Sequence, residues 1–335
     1  MISIEELKRI LNHNDKHFIE DMAQRAREIT IKYFGRAISI YAPLYLSNFC
    51  DNQCIYCGFN RKSGIKRKKL TLEEMHMEME KVSASGIQNI LLLTGGSRKM
   101  TPVDYIKTAV NAAKKYFPSI SLEVYPLEVD EYRELFLAGV DGVTIYQETY
   151  NKKRYRTLHT AGKKTDYTYR FETPHRIAKS GIRMINMGVL LGLSEAAEDV
   201  YQLFLHLEKM EKNDPGVEYT LSFPRLIPLK ESKVDYFDIS DTTLIKLICT
   251  ARILFPRVGI NLSTRESALI RDHAIMLGVT KISAASKTNV GGYRSDDHND
   301  PQFEVRDHRS VDEIVAMLKQ KGFDPVFTDW RRIPN

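Results

Sequence analysis

The sequence predicts an α/β protein, a TIM-type (β/α)8 barrel carrying an N-terminal helical extension. Three observations predict it. Short apolar runs rich in strand-forming residues recur along the chain, and amphipathic helical segments separate them. Polar and chemically special residues gather where the runs end, the face at which such barrels do their chemistry.

The opening stretch, MISIEELKRILNHNDKHF, is charged and helical in pattern and has no signal-peptide core. The helical extension is placed over residues 1–37 and the barrel over 38–335. The first four strands are read at SIYAPLYLS (39–47), IQNILLLTG (87–95), SLEVYPL (121–127) and GVTIYQET (142–149). The second four are read at IRMINMGVLL (182–191), YTLSFPRL (219–226), INLSTRE (260–266) and KISAASK (281–287). Helical periodicity marks 70–85, 102–117, 197–212 and 242–255. Strands alternating with helices pair in parallel, and no linker rich in Pro, Ser or Gly divides the run, so a single barrel is expected.

The chain has 335 residues, 43% hydrophobic and 27% charged, enough to bury a large core. No apolar run approaches the roughly 20 residues that span a bilayer, so no membrane association and a cytoplasmic location are expected. The formal charge is +6, concentrated in the run from Arg61 to Lys69. Aromatic residues are not interleaved with that run, and no nucleic-acid motif accompanies it. A solvated face, or one attracting an acidic substrate or partner, is expected instead.

Four cysteines in so long a chain make no disulfide framework. Cys249 lies in an apolar helical stretch and reads as a core residue. Cys50, Cys54 and Cys57 share one short segment, Asn48-Phe49-Cys50-Asp51-Asn52-Gln53-Cys54-Ile55-Tyr56-Cys57-Gly58-Phe59. Three thiolates in that spacing can converge on one soft metal centre. Structural zinc is the competing reading, but it wants four closed ligands, and no nearby Cys or His pair completes the set. Three ligands on a four-iron cube leave one iron open to a small molecule.

That segment matches C-x3-C-x-aromatic-C, the signature of enzymes that bind S-adenosylmethionine (SAM) on such an open iron. The chain resembles the aromatic amino acid lyase branch of the radical SAM enzymes, most closely the tyrosine lyases, or 2-iminoacetate synthases, of thiamine biosynthesis. The matching pieces, in order, are YAPLYLSNFCDNQCIYCGFN, GVDGVTIYQETYN, SFPRLIP, INLSTRES and the final TDW. The resemblance implies a [4Fe–4S] cluster and SAM as cofactors. It implies reductive cleavage of SAM to a 5′-deoxyadenosyl radical, hydrogen abstraction from the amino group of tyrosine, and Cα–Cβ scission to p-cresol and 2-iminoacetate (dehydroglycine). A flavodoxin- or ferredoxin-type electron donor is implied as a partner, and a thiazole synthase as a downstream one.

Site residues follow from the same resemblance. Arg265 is expected to bind the substrate carboxylate, for which a guanidinium fork is matched; a rim salt bridge with Glu266 is the alternative. Ser286 is expected to make a polar substrate contact. Cofactor contacts are expected from Tyr56, Thr94, Gly95, Gly96, Glu148, Arg170, Leu190 and Phe223. Arg225 is read at the end of strand 6, beside Phe223.

The chain departs from its relatives at Gly96, where they carry Glu, so a carboxylate near the substrate amine or SAM is missing. This keeps open a sister lyase acting on tryptophan or another aromatic amino acid. The segment LKESKVDYFDISD (229–241) also lacks the family wording. The hydrogenase-maturation branch has a second, C-terminal cluster and tends to carry His where this chain has Tyr219. No cysteine follows Cys249 here, so carbon monoxide and cyanide production is not expected. A reading from another class is a basic metal- or nucleic-acid-binding module without catalysis.

Overall fold

A computed structural model describes residues 2–228, 234–294 and 301–328. Asp329 and Trp330 of the TDW motif, and the first five residues of the 229–241 segment, lie outside the described residues.

Two helices come first, α1 (Ile4–Asn12) and α2 (Lys16–Phe34). Ser3 and Asp15 cap them, each side chain accepting from the backbone N–H three residues on. Next come β1 (Ala37–Ser47), α3 (Leu72–Ala84), β2 (Asn89–Thr94), α4 (Val103–Ala113), β3 (Ser119–Glu123) and α5 (Val129–Ala138). β4 (Gly142–Glu148) is followed by three short helices, α6 (Lys152–Leu158), α7 (Tyr167–Phe171) and α8 (Thr173–Lys179). The second half continues with β5 (Met184–Val189), α9 (Ala196–Asn213), β6 (Glu218–Ser222), α10 (Asp241–Leu254) and β7 (Gly259–Leu262). It ends with α11 (Ala268–Ala274), β8 (Lys281–Ser283), α12 (Val311–Gln320) and β9 (Asp324–Val326).

β1 to β8 form a closed parallel barrel. Each strand pairs with the next, and β1 closes the ring by pairing with both β2 (Ala42↔Ile90) and β8 (Ile40↔Ile282). Strands covered on both faces are apolar throughout rather than alternating, as in the Ile-Leu-Leu-Leu of β2. The ninth strand, unexpected from the sequence, pairs with the first residues of β1 (Ala37↔Asp324). α1 and α2 pack on the outside against α9 and α10. Cys249 is fully buried among Met22 and Ala26 of α2, as the sequence suggests.

All eight expected barrel strands are present, but several stop short of their expected C-terminal ends. β3 ends at Glu123 rather than residue 127, β6 at Ser222 rather than 226, β7 at Leu262 rather than 266 and β8 at Ser283 rather than 287. Pro126 and Pro224 have no N–H to give a ladder. In β4 the register shifts between Tyr146 and Glu148, and Glu148 takes a left-handed backbone (φ 72°). The chain therefore leaves the sheet where Glu148, Phe223, Arg265 and Ser286 must face other things than neighbouring strands.

A buried ion network ties the C-terminal segment to the barrel. Arg271 of α11 pairs with Asp307 and donates to the Ser283 carbonyl at the end of β8. Arg309 holds Asp307 at 2.7 Å and Asp272 at 2.8 Å. Arg271 and Asp307 are 1% and 2% exposed, so removing one strands the other's charge in the interior. Asp307→Ala should lower unfolding stability by about 3–5 kcal/mol, read from urea denaturation; a loss typical of a surface pair would contradict this account.

Candidate active site

The three-cysteine loop hangs from the end of β1, and its own sequence neighbours hold it in place. Asn48 is buried; its side-chain oxygen accepts from the Lys68 N–H (2.7 Å) and its amide donates to the Lys66 carbonyl (2.9 Å). Arg67 gathers three carbonyl oxygens from the loop: Asn48 (2.6 Å), Phe59 (3.0 Å) and Asn60 (2.5 Å). The basic run is thus more than a solvated face: one of its cations staples the loop shut. Farther along, Gln53 N–H donates to Ala161 (2.9 Å) and Ile55 N–H to Leu158 (3.0 Å), fixing the loop to the end of α6 and the turn that follows it.

Two glycines let backbone pass close by. A Cβ on Gly95 would stand 2.3 Å from the Phe49 carbonyl oxygen, and one on Gly58 2.8 Å from that of Gln302. Gly96 differs, because a Cβ there meets side chains rather than backbone, the tip of Asn52's amide at 2.4 Å and the Cys50 sulfur at 3.4 Å. Asn52 fills that space, its amide nitrogen 3.6 Å from the Cys50 sulfur and its oxygen accepting from the Lys164 N–H at 2.9 Å.

Cys50, Cys54 and Cys57 line one cavity of about 210 Å³ together with Thr94, Gly95 and Gly96. Among the described residues no three His, Cys, Asp or Glu side chains come together as a site for a single metal ion. Burial pushes the Cys54 thiol up to about 12, and the other two cysteines add to the rise. Three thiolates in one wall therefore need a shared cation. An iron–sulfur cube, which offers each sulfur its own iron, fits this donor set; a closed tetrahedral zinc does not.

The charged groups around the cavity divide into paired and unpaired. Glu148 accepts from Lys164 (2.5 Å) and Arg170 (3.2 Å). Burial alone would raise its carboxyl, but the two cations hold it below its ordinary value. Arg170 also donates to the Tyr146 carbonyl (2.6 Å). Tyr56 hydrogen-bonds His159 Nε2 at 2.8 Å, while His159 Nδ1 meets the Tyr155 carbonyl at 2.8 Å. That carbonyl can only accept, so Nδ1 carries the proton and Nε2 accepts from the tyrosine. Burial pushes His159 down to about 3, so it stays neutral and serves as an orienting acceptor.

Arg265 makes no side-chain hydrogen bond or ion pair among the described residues; its guanidinium stacks on Phe303 at 3.6 Å and faces a second, adjoining cavity. Glu266, its expected alternative partner, is held by Arg225 at 3.0 Å, and Arg225 also binds Asp241 at 2.7 Å. Ser286 lines the same cavity, and its hydroxyl is buried without a partner, as is that of Thr94 in the first. Leu190 lines the second cavity and packs with Tyr56 and Cys54. Phe223 does not line either cavity. It is buried against Phe204, and the next residue, Pro224, faces the second cavity instead. Glu123, Lys164 and Gln302 line both cavities, or reach them from distant loops, and the sequence reading did not include them. For Glu123 a signal existed: a charged residue ends a strand at the barrel face where such folds place their chemistry.

A parallel barrel with three cysteines at its mouth, set to hold a cube with an open iron, defines a radical SAM enzyme. The radical SAM superfamily model matches residues 44–204, and the model of the biotin and thiamin synthesis associated domain matches 222–324. The 2-iminoacetate synthase of Salmonella typhimurium is 38% identical over 330 residues, covering 98% of this chain and 88% of that protein. The Escherichia coli K12 2-iminoacetate synthase is 37% identical over 327 residues, covering 97% and 87%. The crystal structure of HydG, a maturase of the [FeFe]-hydrogenase, superposes with a TM-score of 0.92 at 33% identity, covering 98% of this chain and 73% of that one. The chain belongs to the radical SAM superfamily and, within it, to the 2-iminoacetate synthase family. Its cofactors are a [4Fe–4S] cluster and SAM.

The close approach at Gly95 can be checked directly. Gly95→Ala should sharply reduce iron bound after anaerobic reconstitution, because its methyl group collides with backbone. Gly64→Ala, which meets nothing within 4 Å, should load as wild type. Equal iron contents would contradict the packing described.

Proposed function

We propose that this enzyme cleaves the Cα–Cβ bond of L-tyrosine to 2-iminoacetate and p-cresol, supplying 2-iminoacetate for thiazole formation in thiamine biosynthesis. The single observation that carries the substrate reading is Arg265. A half-buried guanidinium with no carboxylate partner among the described residues, facing a cavity beside the cysteine loop, is a site for a carboxylate brought by a ligand.

When bound, the cluster and SAM supply one electron and a primary carbon radical that abstracts hydrogen from the substrate. The chain's residues bind, orient and exclude water. Cys50, Cys54 and Cys57 would hold the cluster. Gly95 and Gly96, which line the cavity with the cysteines, would let SAM approach the backbone, with Thr94 offering an unpartnered hydroxyl. Glu148, fixed by Lys164 and Arg170, presents a carboxylate to a ribose hydroxyl or the SAM ammonium. Arg170 keeps a donor edge for the SAM carboxylate, and Tyr56 and Leu190 provide the apolar wall near the adenosyl group. Arg265 grips the substrate carboxylate, and Ser286 gives it a polar contact. Phe223, packed on Phe204, holds no cofactor contact of its own, and Pro224 next to it would line the space for the adenine.

A substrate and an electron donor are required by chemistry of this class. A flavodoxin- or ferredoxin-type protein suits the donor role, and a thiazole synthase the acceptor of the product. Three reduced cysteines and an open iron site suit the cytoplasm. No described helix is long and apolar enough to cross a membrane. Gly96 favours one second reading, a sister lyase for tryptophan or another aromatic amino acid, since the carboxylate its relatives place there is absent.

Anaerobically reconstituted enzyme with SAM and a reductant should release p-cresol from L-tyrosine and leave tryptophan intact. Turnover of tryptophan without p-cresol would overturn the tyrosine reading. Arg265→Ala should raise the KM for tyrosine about 10- to 100-fold, as expected for losing a charge-assisted hydrogen bond of roughly 1.5–3 kcal/mol. An unchanged KM would remove Arg265 from the carboxylate site.

A further inference from the structure

Glu123 is the last residue of β3, and its side chain reaches the boundary where the two cavities adjoin. Its carboxylate accepts no hydrogen bond and forms no ion pair among the described residues. The other carboxylate lining the second cavity, Glu148, is committed to Lys164 and Arg170, and the neighbouring Glu266 to Arg225. Arg265 is the complementary unpartnered cation of the same cavity. An unpaired carboxylate and an unpaired guanidinium lining one enclosed space match the two charged ends of an α-amino acid.

We propose that Glu123 receives the substrate ammonium group and takes its extra proton, so that a neutral amine faces the radical. The inference rests on the tyrosine lyase reading and adds a residue to it. The step balances without an outside reagent: one ammonium N–H bond breaks heterolytically, its electron pair stays on nitrogen, and the proton binds a Glu123 oxygen. The chemistry asks for this. Removing a hydrogen atom from an ammonium would leave a radical cation, whereas a neutral amine gives a neutral nitrogen radical. Glu123 also supplies the carboxylate that Gly96 no longer carries, from a different strand.

The surroundings suit a proton acceptor. Tyr41 and Tyr45 face Glu123 from β1 and Tyr146 and Glu148 from β4; Arg170 acts from α7, Lys164 from the turn before it and Arg265 from beyond β7. Burial first, and then the Glu148 charge, push its carboxyl up to about 7, against the pull of the three cations. Its charged form is disfavoured on folding, so Glu123 costs stability above pH 7, and that cost vanishes below its ordinary value of 4.5.

The test compares wild type, Glu123→Gln and Glu123→Asp, all cluster-loaded. Wild-type kcat/KM for tyrosine should rise with pH to a plateau above about 7. Glu123→Gln should lose that limb and at least about 100-fold in kcat/KM, while Glu123→Asp keeps the limb at reduced rate. Without turnover, equilibrium binding of tyrosine to the SAM-loaded, unreduced enzyme should weaken below pH 7 in wild type and be weak and flat in Glu123→Gln. Glu123→Gln should also melt higher than wild type at pH 8, which a merely structural residue would not do. A Glu123→Gln enzyme with the wild-type pH profile, or with weakened SAM binding and normal tyrosine binding, overturns the proposal. If wild type itself yields no p-cresol, it is the tyrosine reading that fails.

Discussion

The site depends on one guanidinium that does no chemistry. Arg67 donates to three carbonyl oxygens of the cysteine loop, and a loop without regular structure has few other ways to satisfy them. Charge-assisted bonds to backbone oxygens fix the loop's path whatever its side chains do. Because that path is fixed, the sulfurs of Cys50, Cys54 and Cys57 share one cavity wall, and Gly95 can slide beneath Phe49. The barrel supplies the floor, and Arg67 fixes the shape of the cysteine loop above it.

Around this frame the charges are sorted. Those that would otherwise be loose are paired with each other: Glu148 with Lys164 and Arg170, Glu266 with Arg225, Asp307 with Arg271 and Arg309. Such pairs orient side chains at the rim, and Glu148 adopts a strained backbone to join its pair. Among the described residues lining the second cavity, the charged groups left without an ion-pair partner are Glu123 and Arg265, and they stand out physically. Burying an uncompensated charge is costly, and a protein that keeps one of each sign in a single cavity stores that cost against the arrival of a zwitterionic ligand.

Much of the barrel was legible in the sequence because its cues are local. Apolar runs mark strands, helical periodicity marks the covering helices, and the cysteine spacing sits within eight residues. The C-terminal strand ends were not legible, since whether Arg265 or Ser286 stays in a ladder is decided by partners elsewhere in the chain. Arg67 was invisible for a related reason: in a run of basic residues, nothing local says which one folds back onto carbonyls. Phe223 read as a cavity residue on its neighbourhood alone, yet the side chain turns to Phe204 and leaves Pro224 at the surface of the cavity. β9 escaped notice because three residues, one of them proline, carry no strand pattern. Asn52 filling the space beside Gly96 is likewise a contact across the fold, which no spacing rule contains.

The central claim is that three thiolates hold a cube and leave its fourth iron free for SAM. Mössbauer spectroscopy of the 57Fe-reconstituted enzyme tests it most directly. Adding SAM should split off one iron site with a changed environment while the other three keep theirs. A spectrum that SAM leaves untouched, or a purified protein holding zinc in place of the cube, would contradict the account.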